Sequence, residues 1–163
     1  MKDQITLERI QLLHPVIRGE VIDAYDEIAE ALKGDFYCRF AYTLRTFGEQ
    51  DKLYSQGRTS AGSIVTNARG GFSYHNYGLA LDIVLINKIT HKAVWDTKTD
   101  FDKDRVSDWM EIVNILKSYG FEWGGDWKFK DYPHFQKTLG HSVRSLLALH
   151  QQKKVDKNNF VLI

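Results

Sequence analysis

The sequence predicts an α+β fold in which several helices pack with a small antiparallel sheet. Apolar residues recur at helical spacing through Val21, Ile22, Tyr25, Ile28, Ala29 and Leu32, and again through Val106, Trp109, Ile112, Val113 and Leu116. Between those stretches, Phe36 to Arg45 is rich in aromatics and alternates as a strand does. Gly78 to Ile86 is almost unbroken apolar, the pattern of a strand covered on both faces, and a turn at Asn87 to Lys92 returns it to a partner strand at Ala93 to Trp95.

Taken in order, Leu7 to Leu13 reads as a short helix stopped by His14-Pro15, and Pro15 suits the first turn of the next helix, which Gly34 ends. The strand from Phe36 places Cys38, Phe40, Tyr42 and Leu44 on one face and Arg39, Thr43 and Arg45 on the other, with Arg45 at its end. Thr46-Phe47-Gly48-Glu49 fits a capping box, in which the Thr hydroxyl and the Glu carboxylate satisfy free amides at a helix start, so Gln50 to Gln56 continues as helix to Gly57. Gln56 to Gly71 has neither helical nor strand period and reads as a long loop, and long loops in compact domains tend to be functional. After the helix that Gly120 stops, Phe121 to Gln136 crowds aromatics beside paired glycines, which predicts a loop walling a cleft and then a short strand from Pro133, with His134 and Gln136 on one face. Val143 to His150 reads as a final helix and Gln151 to Lys157 as a polar tail. His14, His91, His141 and His150 read as capping or surface residues.

At 163 residues the chain fits one compact domain, spanning 1–163, with a real hydrophobic core. An apolar fraction of 43% and a charged fraction of 26% are those of a soluble globular protein, and a formal charge of +1 gives no field for nucleic acid or anionic membrane. A lone cysteine, Cys38, forms no internal disulfide. The N-terminus lacks a signal-peptide apolar region, and no apolar run approaches the roughly 18 residues that span a bilayer, so cytoplasmic synthesis is expected.

One carboxylate, Asp82, sits inside the apolar strand, and an ionised carboxyl there must be paired, hydrogen-bonded or metal-bound. His75 lies just upstream, with Gly78 and Ala80 between them to let the chain pack closely beneath a site. The bland alternative is a buried Asp bonded to backbone amides beside an ordinary loop His. With His134 the set becomes two histidines and an aspartate, sufficient for a catalytic zinc that keeps one position open. Asp131, three residues before His134, is placed to serve as general base and then to protonate a leaving amine, and Arg45 to stabilise a developing oxyanion. Arg45 reads equally well as a solvated surface charge.

These residues fall into motifs. Ser73, His75, Gly78, Ala80 and Asp82 make Ser-x-His-x-x-Gly-x-Ala-x-Asp, and Asp131 and His134 make Asp-x-x-His. Arg45-Thr46, Glu49-Gln50, Leu53-Tyr54 and Gln56-Gly57-Arg58-Thr59 precede them. Over Leu7 to Gln136 the chain resembles the zinc D-Ala-D-Ala peptidases related to the hedgehog fold, and within them the L-alanyl-D-glutamate endopeptidase branch. The resemblance implies that the sheet carries a zinc site of His75, Asp82 and His134, with Asp131 as general base and acid and Arg45 supporting substrate or transition state. It implies Ser73 and Gln50 as substrate contacts, and the stem peptide of peptidoglycan as substrate for a monomeric enzyme. Asp131 stands where many relatives that remove terminal D-alanine have Glu, which points to the endopeptidase branch. Residues 140–163 are too short for a separate wall-binding domain, and a phage or prophage lysin released by a holin or another non-secretory route fits the N-terminus. Two other readings are a D,D-carboxypeptidase or dipeptidase on terminal D-alanine, and a zinc-bound pseudo-peptidase that only binds wall peptide.

Overall fold

The computed structural model describes residues 2–163. Helices α1 (Gln4–Ile10) and α2 (Pro15–Ala31) lead into strand β1 (Phe36–Tyr42) and helix α3 (Phe47–Ser55). A 3-10 turn at Tyr74–Tyr77 precedes β2 (Ala80–Asn87) and the short β3 (Ala93–Val94). Helix α4 (Asp108–Ser118), β4 (Glu122–Trp123), a 3-10 turn at Gly124–Asp126, β5 (His134–Gln136) and α5 (Val143–Gln151) complete the order. The sheet is antiparallel in the order β1-β2-β5-β4, so β2 is central. β1 pairs along one edge of β2, while its other edge is shared by β5 at Ala80 to Asp82 and β3 at Leu85 and Ile86.

The alternation within β2 decides where the site lies. Leu81, Ile83 and Leu85 are completely buried in the main core with Tyr25, Ile28, Phe40, Trp109, Ile112 and Phe135. Val84 and Ile86 point the other way, into a smaller cluster with Tyr37, and by the two-residue period Asp82 shares that second face. The strand is covered on both faces as its composition predicts, but its carboxylate belongs to the minor face and never enters the main core.

Helix starts follow local chemistry. Asp3 caps α1 by accepting from Thr6 N and pairs with Arg39 at 2.8 Å, fastening α1 to β1. Thr46 and Glu49 form the expected reciprocal capping box of α3. His14 caps α2 through Nδ1, which accepts from Val16 N, and its Nε2 donates to Val161 O at 2.8 Å. It is therefore buried and not a surface residue.

Four local expectations are corrected. The first helix starts at Gln4, three residues before Leu7, because Asp3 supplies its cap. β1 ends at Tyr42, with its register shifting between Phe40 and Tyr42, so Tyr42 is 58% exposed and Arg45 stands beyond the strand. β4 occupies residues expected in a loop. The stretch expected as a polar tail, Gln151 to Lys157, is tied back where Val155 bridges Val161, and beyond it Phe160 and Val161 are buried against the body. Among the described residues no helix is long and apolar enough to cross a membrane.

Candidate metal centre

Each ligand candidate reaches the centre from a different piece of backbone. Asp82 on β2 and His134 on β5 are directly opposite in the antiparallel ladder, so the sheet sets their spacing. His75 arrives on the 3-10 turn, where the Ser73 hydroxyl accepts from His75 N and Asn76 completes a capping box. Gly78 ends that turn at φ +68°, and a Cβ there would lie 2.6 Å from His14 N, so the chain needs glycine to turn from His75 into β2.

The three donor atoms form a near-equilateral triangle. His75 Nε2 lies 3.3 Å from Asp82 Oδ1 and 3.2 Å from His134 Nδ1, and His134 Nδ1 lies 3.2 Å from Asp82 Oδ1. Hydrogen bonds on the far sides of the rings fix their tautomers. His75 Nδ1 donates to the carbonyl of Thr43 at 2.6 Å, which leaves Nε2 as a lone pair. The Gln136 amide donates to Glu122 Oε2 at 2.9 Å, so its oxygen faces His134 and accepts from Nε2 at 3.1 Å, leaving Nδ1 as the lone pair. Three acceptors thus converge with no hydrogen to share. A cation relieves that arrangement, and a tetrahedral centre with bonds of about 2.0–2.1 Å separates its ligand atoms by about 3.3 Å. The donor set and its spacing fit a metal ion.

Burial alone would raise the Asp82 pKa. With no metal bound and the two histidines protonated, hydrogen bonding from His134 and His75, together with their charge, outweighs it and holds the carboxyl well below the usual carboxylate range. His134 moves the opposite way. Burial disfavours its imidazolium, but Asp82, Gln136 and Asp131 prevail and its pKa is raised.

Arg45, although off the strand, reaches the centre. Its backbone N–H donates to His75 O at 3.0 Å, its Nη2 lies 3.8 Å from Asp82 Oδ2, and its Nη1 donates to Gln50 Oε1 at 2.9 Å. Gln50 is completely buried, and its amide nitrogen bonds Ala68 O at 2.8 Å and Thr66 Oγ1 at 3.3 Å. It faces the cleft only through Arg45, which it aims, while tying down the loop after α3. Ser73 lines the cleft, but its hydroxyl also caps the 3-10 turn. Asn76 was missed by sequence reading. It accepts from Gly71 N and donates to Arg45 O, linking the His75 turn to both walls, and its N3 position after Ser73 is the signal that would have found it.

Asp131, Arg45, His75, Asp82 and His134 line one cleft of about 520 Å³. The long loop contributes Val65, Thr66 and Ala68 to one wall, and Trp127 and Pro133 stand on the other. A second groove of about 880 Å³ shares Thr66, Phe72, Trp127 and Asp131 and extends the channel past Phe129 and Lys130. The Asp131 segment is folded back tightly: Asp131 N donates to Gly124 O, and a Cβ on Gly124 would sit 2.3 Å from Asp131 O. The residue reaches solvent at the cleft mouth, yet crowding by the walls raises its pKa, the Asp82 charge adding to this while His134, His75 and Arg45 oppose.

Comparison with known proteins agrees with this geometry. Residues 66–137, which hold all three donors and Asp131, match the family described as D-alanyl-D-alanine carboxypeptidase. The chain is 52% identical over 126 residues to the peptidoglycan L-alanyl-D-glutamate endopeptidase CwlK of Bacillus subtilis, covering 76% of this chain and 72% of that protein. It is 42% identical over 65 residues to the L-alanyl-D-glutamate peptidase of Listeria phage A118, covering 39% of this chain and 20% of the phage protein. The fold matches the crystal structure of the Serratia marcescens L-Ala D-Glu endopeptidase ChiX with a TM-score of 0.54 at 23% identity, over 83% of this chain and 88% of that one. The extent of the CwlK match decides membership: the chain belongs to the D-alanyl-D-alanine carboxypeptidase family, on the branch that holds CwlK.

Proposed function

We propose that this protein is a zinc metallopeptidase that hydrolyses the L-Ala-D-Glu bond in the stem peptides of peptidoglycan, acting as a monomer through a single catalytic domain on the cell wall. The observation that carries the reading is the triangle of His75, Asp82 and His134 donor atoms on the floor of an open cleft, in a chain 52% identical to CwlK. His75, Asp82 and His134 would hold the zinc, which supplies Lewis acidity to polarise a carbonyl and acidify a water.

The remaining chemistry falls to the chain's own residues. Asp131 takes the proton of the attacking water as its oxygen bonds to the L-Ala carbonyl carbon, and passes that proton to the D-Glu nitrogen as the C–N bond breaks. Its raised pKa suits a group that must hold a proton between those events. Arg45 offers N–H groups to the oxygen that gains charge. Gln50 keeps its guanidinium aimed. The two continuous grooves leave room for peptide on both sides of the cut, as an endopeptidase requires.

The family description favours one second reading, removal of terminal D-alanine. Purified protein incubated with cross-linked peptidoglycan separates the two by mass spectrometry of the products. The expected result is a new N-terminal D-Glu with terminal D-Ala left in place. Free D-alanine or D-Ala-D-Ala appearing first, with no new D-Glu amine, would establish the carboxypeptidase reading instead.

A further inference from the structure

The link from β3 to α4 carries Asp100, Asp102 and Asp104 at alternate positions, then Asp108, with Glu111 the twelfth residue counted from Asp100. Every acidic position of the calcium-loop pattern D-x-D-x-D-G-x-x-x-x-x-E is filled, and Asp108 occupies its ninth position. The sixth position, which needs a left-handed backbone and is glycine in that pattern, is Arg105, and Arg105 adopts φ +89°.

The structure brings these carboxylates together. Oxygens of Asp100, Asp102 and Asp108 lie within 4.8 Å of one another, as do those of Asp102, Asp104 and Glu111, so Asp102 belongs to both groups. Asp108 is the decisive member. Its residue is 0% exposed, and Oδ1 accepts from Phe101 N at 2.8 Å, while Oδ2 is buried without a partner. Glu111 Oε2 is likewise buried and unpartnered. Among the described residues no Lys or Arg forms an ion pair with any of the five. Buried carboxylate oxygens facing other carboxylates, with no cation to meet them, are held at a large desolvation and repulsion cost. Burial and then the charges of Asp104, Asp102 and Asp108 push the Glu111 pKa up to about 7.

We propose that this loop is a calcium site, with Asp100, Asp102, Asp104, Asp108 and Glu111 as its carboxylate donors and the seventh-position carbonyl, that of Val106, as a further donor. A set composed of oxygen alone selects a hard cation over zinc, and five carboxylates with a carbonyl suit the six to eight ligands of calcium better than the small octahedral shell of magnesium. The inference does not depend on the peptidase reading. Filling the site would fasten three elements at once. Asp108 and Glu111 are in the first turn of α4, Asp102 Oδ2 accepts from Lys33 N just after α2, and Phe101 stacks on Phe36 of β1 with ring centroids 4.0 Å apart.

The test uses the full chain carrying its zinc, stripped of calcium by dialysis, titrated with calcium chloride in a calorimeter and melted with and without it. The expected result is one calcium per chain and a Tm higher by about 5–10 °C at calcium 100-fold above its Kd, with magnesium chloride giving much less. Glu111→Gln and Asp104→Ala should each abolish the shift. Asp104 is exposed, so its variant folds even if Glu111→Gln does not. His134→Ala should bind calcium as the wild type does. Absence of heat and of any Tm shift at millimolar calcium would overturn the proposal, and so would a calcium-induced shift that persists in Asp104→Ala.

Discussion

His134 donates its Nε2 proton to Gln136 two residues along the same strand, so the β5 strand carries both a candidate ligand and the group that chooses which of its nitrogens faces the cleft. Replacing Gln136 with Met keeps the bulk and removes the acceptor. Zinc affinity should fall by about 10–100-fold, because partners of this kind orient the ring and raise its basicity. Competition with a zinc-sensitive dye measures it, and an unchanged affinity would show that packing against Trp127, at a 5.2 Å centroid distance, holds the ring unaided.

His134→Ala removes a donor outright. Zinc content and hydrolysis should be lost together, since two remaining ligands hold the ion poorly. Elemental analysis finding a full zinc complement in this variant would take His134 off the ligand set.

Asp131→Asn should separate binding from chemistry. Its carboxyl is no part of the donor triangle, so zinc stays, while turnover falls by about 10²–10⁴-fold if the residue moves the proton. Turnover within a few-fold of wild type would transfer the role to another group.

His14 predicts a pH-dependent stability unrelated to the metal. Burial lowers its pKa from 6.5, the Val161 carbonyl opposing, and its Nδ1 must stay unprotonated to accept from Val16 N. A depressed histidine means that the unfolded chain binds more protons near that pH, so stability is full above about pH 6.5 and is lost as pH falls towards the folded-state pKa. Thermal melts from pH 8 to 5 should therefore show a steeper acid-side fall in Tm for wild type than for His14→Asn, which retains a cap but does not titrate. Parallel curves for the two proteins would refute the assignment.

The sequence exposed the centre more clearly than the walls around it. Asp82 stood out because a carboxylate in an apolar strand demands a partner, and Thr46 with Glu49 because a capping box is local chemistry that needs no tertiary context. β1 was overextended because alternation continues through Leu44, whereas the register shift after Phe40 turns Tyr42 outward, and periodicity does not register such a shift. β4 has two residues, too few to show a period, and exists only because β5 lies beside it. Nothing local marks Phe160 and Val161, beyond the polar tail, as core, since their burial depends on His14, 147 residues away from Val161. The acidic run from Asp100 to Glu111 is not told from a solvated loop by its charge alone. Its spacing was the available signal, and only the burial of Asp108 separates it from an ordinary charged loop.

The direct pairing of Asp82 with His134 has a consequence for how the chain tolerates insertion and deletion. The two residues are kept in step by the ladder, so the whole intervening excursion through β3, the acidic loop, α4 and β4 can lengthen or shorten at its turns without disturbing their spacing. One residue gained or lost between Ala80 and Asp82 is different in kind. It turns Asp82 and every side chain after it in the strand to the opposite face, carrying the donor into the hydrophobic core and an apolar residue into the cleft.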